Sequence, residues 1–289
     1  MFLDLQAAQL DKWLLNPYMY AVVAGLTLLS LRMGAERLDR RYWKATANDF
    51  LYGVMYAVLY FPIIAICLDI SNRFLDTYLP WMRMELISDA PLWVKFLVVV
   101  LLDDFLAYWS HRLRHEVRPL WHFHAIHHSQ KRLNPFTTKR FHPLENMFHK
   151  IVILMIPMAI VGGSLEMWYL YFLVDAVWDY FIHSNLRLNL GPLKHVLVSP
   201  QYHRVHHSGD SEQFNRNYAD RFVLWDHLFG TAYTNYGSYP ATGIPGYSSR
   251  ESWNFLQTHV HDLAYPFRMI WSDIRKYRNR VSGTTPGSR

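Results

Sequence analysis

Eight histidines stand in three short boxes. "HRLRH" places His111 and His115 four residues apart, "HAIHH" gathers His124, His127 and His128, and "HRVHH" repeats that spacing at His203, His206 and His207. On a helix, positions i, i+3 and i+4 share a face, so His203 and either His206 or His207 can aim ring nitrogens at one point. Neutral imidazole is the commonest protein ligand for zinc, copper, iron and nickel. So large a histidine set exceeds what one tetrahedral or octahedral ion holds, and two metal ions are implied.

The elements that must position these boxes are apolar helices. The 289-residue chain is 51% hydrophobic, yet its mean hydropathy is near zero, because long apolar runs alternate with basic, histidine-rich ones. Leu14 to Met33, Leu51 to Leu68 and Pro91 to Trp109 each approach the roughly 20 residues that cross a bilayer core. An all-α integral membrane protein is expected. "MFLDLQAAQLDKW" lacks a basic start and a cleavage pattern, so no secretory signal is expected there. Cys67 is the only cysteine, which rules out an internal disulfide and a cysteine-ligated iron–sulfur cluster in this chain.

Positive charge orients the runs. Arg32, Arg37, Arg40, Arg41 and Lys44 lie between the first two, whereas only Arg73 and Arg83, opposed by Asp76, Glu85 and Asp89, separate the second and third. Arg112, Arg114, Arg118, Lys131, Arg132, Lys139, Arg140 and Lys150 crowd the stretch from 110 to 150. The positive-inside bias puts the 34–50 loop and the histidine-rich region in the cytoplasm and the amino terminus outside. For His183 and the His203 box to share a site with His111, both ends of 151–183 must be cytoplasmic. This segment then turns back within the membrane near Gly162 and Gly163, in two passes of roughly 24 Å at about 1.5 Å per residue.

The expected layout is four or five transmembrane helices in two hairpins, with a cytoplasmic helical cap carrying a histidine-rich dimetal site. Residues 1–90 form the first membrane hairpin. Residues 91–235 form the histidine-box core with its hairpin at 151–183, and 236–289 a cytoplasmic carboxy-terminal segment ending in disorder, all in one structural domain. The net charge of +6 follows from topology and anionic lipid headgroups rather than from nucleic acid.

The boxes HxxxH, HxxHH and HxxHH resemble those of the fatty acid hydroxylase and sterol desaturase superfamily of membrane di-iron enzymes. "DFLAYWSHRLRH" is similar to that family's first box with its preceding aspartate, "WHFHAIHHS" to the second, "RFHPLE" to a segment after it, and "FIHSNLRL" to the stretch supplying a further histidine. "HRVHHS", with "NRNYAD" and "LWDHLFGT" after it, resembles the third box and its sequel. The likeness covers roughly residues 95 to 235, and no part resembles a fused cytochrome b5 domain. It implies His111, His115, His124, His127, His128, His183, His203, His206 and His207 as ligands. His142 is a tenth candidate or a fold-stabilising residue. Some hydroxylases of the superfamily carry a histidine four residues before the position of His183. Here that position is Asp179, which could ligate directly, orient His183 or leave a water in place. Asp104, two helical turns before His111, is read as the carboxylate partner of a metal-bound imidazole, and Asn185 as a residue reaching a metal through water. His122, His149, His195, His227, His259 and His261 are read as structural.

The resemblance implies iron as the metal and O2 as co-substrate, since zinc has no redox chemistry, although the same site would hold zinc in purified protein. The implied reaction is hydroxylation or desaturation of a membrane lipid of sterol or fatty acyl type. Without haem or cluster motifs, electrons must come from a separate ferredoxin or cytochrome b5 type donor with its reductase. A zinc-dependent membrane hydrolase and a metal transporter or sensor are the alternatives. The tail "RNRVSGTTPGSR" has no endoplasmic-reticulum retrieval signal, which favours a bacterial inner membrane over that compartment.

Overall fold

The computed structural model describes residues 16–151, 156–162, 165–247 and 254–282. Helix α1 (Pro17–Met33) starts on Asn16, whose side chain accepts from the Tyr18 amide, with Pro17 in the first turn where no amide is needed. Asp39 caps α2 (Arg40–Met55) in the same way through Tyr42. A π-helical turn, Tyr56–Tyr60, carries that helix without a break into α3 (Phe61–Tyr78). Then follow α4 (Leu92–Glu116), α5 (Arg118–His128), α6 (Pro143–Lys150), α7 (Ile156–Val161), α8 (Leu165–Ile182), α9 (Pro200–His206), α10 (Leu224–Leu228) and α11 (Phe255–Val281). Among the described residues β-pairing is confined to isolated bridges such as Gly34 with Leu186. The fold is all-helical, as expected.

The expected apolar runs map onto these helices with altered bounds. Leu51 to Leu68 is the middle of a continuous 39-residue helix, Arg40–Tyr78, the one described helix long and apolar enough to cross a membrane by length and composition. Its first turns project beyond the apolar stretch and carry the buried Asp49, which accepts from Gln130, Asn134 and Thr137 of the histidine-box region. Pro91 to Trp109 lies in α4, which continues to Glu116 and so carries His111 and His115 on the same rigid rod. Lys95, Asp103 and Asp104 interrupt its apolar character. Within the hairpin expected at 151–183, α7 covers only Ile156–Val161 of the first pass and ends at Gly162, whose φ of +66° suits glycine; Gly163 lies outside the described residues.

Two packed layers result. Ile64, Leu68, Val99, Met158, Val161, Trp168 and Phe172 join α3, α4, α7 and α8, and Met19, Ala57, Ala176 and Tyr180 lock α1 to the π turn and α8. Next to this apolar bundle, Tyr108, Ile182, Val198, Tyr202, Tyr218 and Val223 form a second cluster under the histidine boxes. Close van der Waals packing of these side chains fixes the helix ends that carry the ligands. The carboxy-terminal segment holds α11, and its expected disorder falls on residues outside those described.

Candidate metal centre

The nine histidines implied as ligands divide into two adjacent groups. One nitrogen from each of His111, His115, His124, His128 and His206 lies within 4.8 Å of the others, and the same holds for His127, His183, His203 and His207. Helical spacing makes the division. The i, i+4 pairs His111/His115 and His124/His128 serve the first group and the pair His203/His207 the second, while His127 and His206, one position away, cross to the other group. All nine are buried. The groups abut, with the rings of His128 and His207 stacked at 4.4 Å.

Ring nitrogens converge within each group. In the first group the Nε2 atom of His128 is 3.1 Å from that of His115, 3.2 Å from that of His124 and 3.1 Å from that of His206. In the second, the Nε2 atom of His183 stands 3.2 Å from that of His127 and 2.9 Å from that of His203, which is 3.1 Å from that of His207. Nitrogens about 2.1 Å from a common ion stand ~3.0 to 3.4 Å apart in octahedral or tetrahedral order. The spacing is that of a coordination shell.

The opposite edge of the rings says which nitrogen carries the proton. Nδ1 of His111 is 2.8 Å from the Tyr218 carbonyl, Nδ1 of His206 is 2.8 Å from the Arg216 carbonyl, and Nδ1 of His183 is 2.8 Å from the Asp179 carbonyl. A carbonyl only accepts, so each Nδ1 donates and each Nε2 keeps its lone pair facing inward. His124 does the same toward Glu145 Oε1 at 2.6 Å. Converging buried lone pairs repel unless a cation lies among them, and Nε2 of His111 has no hydrogen-bond partner. The donor set therefore fits two metal ions. Burial, reinforced by neighbouring charge, holds His111, His115, His124, His127, His128, His203 and His207 well below the ordinary imidazole range. His206 is lowered to about 4.

The carbonyls are aimed by the "NRNYAD" segment. Asn215 and Asn217 both adopt left-handed backbone, at φ 59° and 58°, a conformation asparagine tolerates better than most residues. Asp226 accepts from the amides of Tyr218 and Ala219 at 2.8 and 2.9 Å and from the hydroxyls of Thr231 and Tyr202. The whole turn is thus fastened to the "LWDHLFGT" helix.

The four further candidates contribute no ligand atom to either group. His142 lies outside both groups: it caps α6 by accepting the Leu144 amide on Nδ1, and its Nε2 is 3.3 Å from the Leu263 carbonyl. Asp104 does not meet His111, because its two oxygens accept from the amides of Arg221 and Phe222 and from Trp225 Nε1. It holds the loop that presents Tyr218. Asp179 orients His183 through its backbone carbonyl, while its carboxylate accepts from Thr138. Asn185 grips Glu36 through that residue's amide and carbonyl. Glu145 was not singled out by sequence. It accepts from Arg114 at 3.0 Å as well as from His124, and the only sign of it was its place in "HPLE".

Beside both groups opens a cavity of about 110 Å³. His111 and His124 of one group and His127, His183 and His203 of the other face it, and Tyr56 of the π turn, Asn146 and Lys150 of α6, and Asp175 and Asp179 of α8 wall it.

Residues 96–231 match the family model described as fatty acid hydroxylase. The chain is 33% identical over 196 residues to an ornithine lipid hydroxylase of Rhizobium tropici, covering 68% of this chain and 55% of that one. It is 33% identical over 168 residues to an alkylglycerol monooxygenase of Xenopus tropicalis (56% and 34%), and 29% identical over 144 residues to a Delta(7)-sterol-C5(6)-desaturase of Nicotiana tabacum (47% and 47%). It spans about half or less of the length of these relatives. No solved structure matches it.

Proposed function

Because this chain is a member of the fatty acid hydroxylase and sterol desaturase superfamily, we propose that it is an O2-dependent di-iron oxidoreductase that hydroxylates or desaturates a membrane lipid. The observation that carries the reading is the division of nine histidines into groups of five and four that share one cavity. Two iron ions held there would supply the redox chemistry that zinc lacks, reducing O2 with electrons from a separate ferredoxin or cytochrome b5 type donor and its reductase.

The chain's own part is positional. The backbone carbonyls of Tyr218, Arg216 and Asp179 keep Nδ1 protonated on three imidazoles and leave Nε2 to bind. Glu145 does so for His124 while Arg114 balances its charge. The cavity is walled on one side by Tyr56 and Ala176, from the helices of the apolar bundle, which sets it beside the part of the chain that would face acyl chains. Asp175, Asp179, Lys139 and Lys150 give it polar groups suited to the polar end of that lipid. Four or five membrane passes, with the metal centre on the cytoplasmic side, agree with the basic loops and with the apolar surfaces of α1, α3 and α8. A bacterial inner membrane is the location proposed.

The test is lipid analysis of cells expressing the native chain beside His124→Ala. A lipid that gains one oxygen or loses two hydrogens only with the native chain supports the reading; identical lipid profiles, with both proteins present in the membrane, contradict it.

A further inference from the structure

Helix α11 is apolar on the face turned away from the protein. Its inner face, with Thr258, Asp262 and Pro266, is buried against α5 and α2, where Asp262 accepts from Arg140 and Tyr52. Leu256, Val260, Phe267, Trp271, Ile274 and Val281 follow at intervals of four, seven, four, three and seven, which gathers them into one stripe about 80° wide on the outward side of the helix. All six are between 53% and 71% exposed. A helix packed on a protein in water carries polar residues there.

The neighbours show which way the stripe looks. The Phe267 ring meets those of Phe123 and His142 at 5.7 and 5.9 Å, and His142 caps α6, where Leu144 and Phe148 are exposed just before the chain enters the apolar segment after Lys150. Toward its start, His259 Nε2 lies 2.7 Å from the Tyr60 hydroxyl, in the π turn beside the exposed Val58, Leu59 and Ile63. Helix α11 thus follows the rim where the apolar exterior of the bundle begins. Its exposed charge is basic: Arg268, Arg275, Lys276, Arg278 and Arg280 are exposed, whereas Asp262 is buried and Asp273 is paired with Arg118 and His122.

We propose that α11 is an interfacial helix lying in the plane of the cytoplasmic membrane surface, its apolar stripe in the headgroup–acyl boundary and its basic side chains on anionic lipid headgroups. The inference rests on the membrane reading above. Through Asp273 the seated helix holds α5, and with it three of the histidines, at a fixed height over the bilayer.

The test uses the full chain with Cys67→Ser, reconstituted in nanodiscs of anionic phospholipid and spin-labelled singly at Val260→Cys, Ile274→Cys, Lys276→Cys or, as a marker of the bundle exterior, Ile63→Cys. Labels at 260, 274 and 63 should be relaxed by lipid-soluble oxygen more than by a water-soluble nickel chelate, with the reverse at 276. Zwitterionic lipid, or Arg275→Glu with Arg278→Glu, should shift position 274 toward the nickel chelate and leave 63 unmoved. Water-like accessibility at 260 and 274 with lipid-like accessibility at 63 overturns the proposal and leaves the membrane reading standing. Water-like accessibility at 63 as well overturns both. Shielding of 260 and 274 from both reagents means that a second protein copy covers the stripe, and also overturns it.

Discussion

Glu145 is the acceptor shared by a metal-facing imidazole and a buried guanidinium, so the two ways of changing it separate two roles. Glu145→Ala leaves the Arg114 charge buried without its partner, and a loss of about 3 to 5 kcal/mol is expected in thermal or denaturant unfolding. Glu145→Gln keeps an acceptor but not the charge, and metal affinity should fall about 10- to 100-fold in a chelator competition. An unchanged affinity would show that His124 needs no carboxylate. The imidazoles make a second prediction. Unfolded, they titrate near roughly 6.5, but burial keeps the folded rings neutral, His206 down to about 4. Below pH 6.5 the unfolded chain binds protons the folded chain refuses, so metal-free protein should lose stability as pH falls from about 6.5 toward about 4. Metal-loaded protein should resist until lower pH, and a melting temperature flat across that window would contradict the account. Spacing alone marks the eight box histidines that the fold brings together, whereas His183 is marked only by the family resemblance. Glu145 was hidden because "HPLE" drew the eye to His142, and a capping histidine and a ligating one look alike in sequence.

At the scale of elements, His206 of the third box and His111 of the first are both oriented by one turn, residues 215–220. Asp226→Ala strips acceptors from two amides and two hydroxyls under the site. With each buried unsatisfied group costing about 1 to 3 kcal/mol, a strong loss of stability and of metal from the His111 and His206 positions is expected. Asp226→Asn, which retains an acceptor, should recover part of both. Unfolding curves and metal analysis of the two variants check this, and a stable, fully loaded Asp226→Ala would show the turn to be dispensable. Element type was readable from apolar runs. Element extent was not, because α4 and the Arg40–Tyr78 helix run past their apolar stretches into polar residues that tertiary contacts bury, as Asp49 shows. The partner of His111 was misread for a related reason. Two helical turns put Asp104 on the same face of α4, but a loop over a hundred residues later reaches it first.

For the whole molecule, the account places a metal-bearing cap on one end of an apolar bundle with the basic loops on the same side. Membrane-impermeant labelling of intact cells should therefore miss a single cysteine put at Lys194, in a cap loop, and modify one at Trp81 (73% exposed), at the far end of α3, both in a Cys67→Ser background. The reverse pattern would invert the topology. The central claim is the paired metal centre that consumes O2, and it is tested by measuring metal content and O2 uptake together on protein from iron-supplemented cells, with His206→Ala alongside. Two irons per chain and donor-dependent O2 consumption, both lost in the variant, are the predicted result. Firm zinc binding with no O2 uptake after iron reconstitution would contradict it.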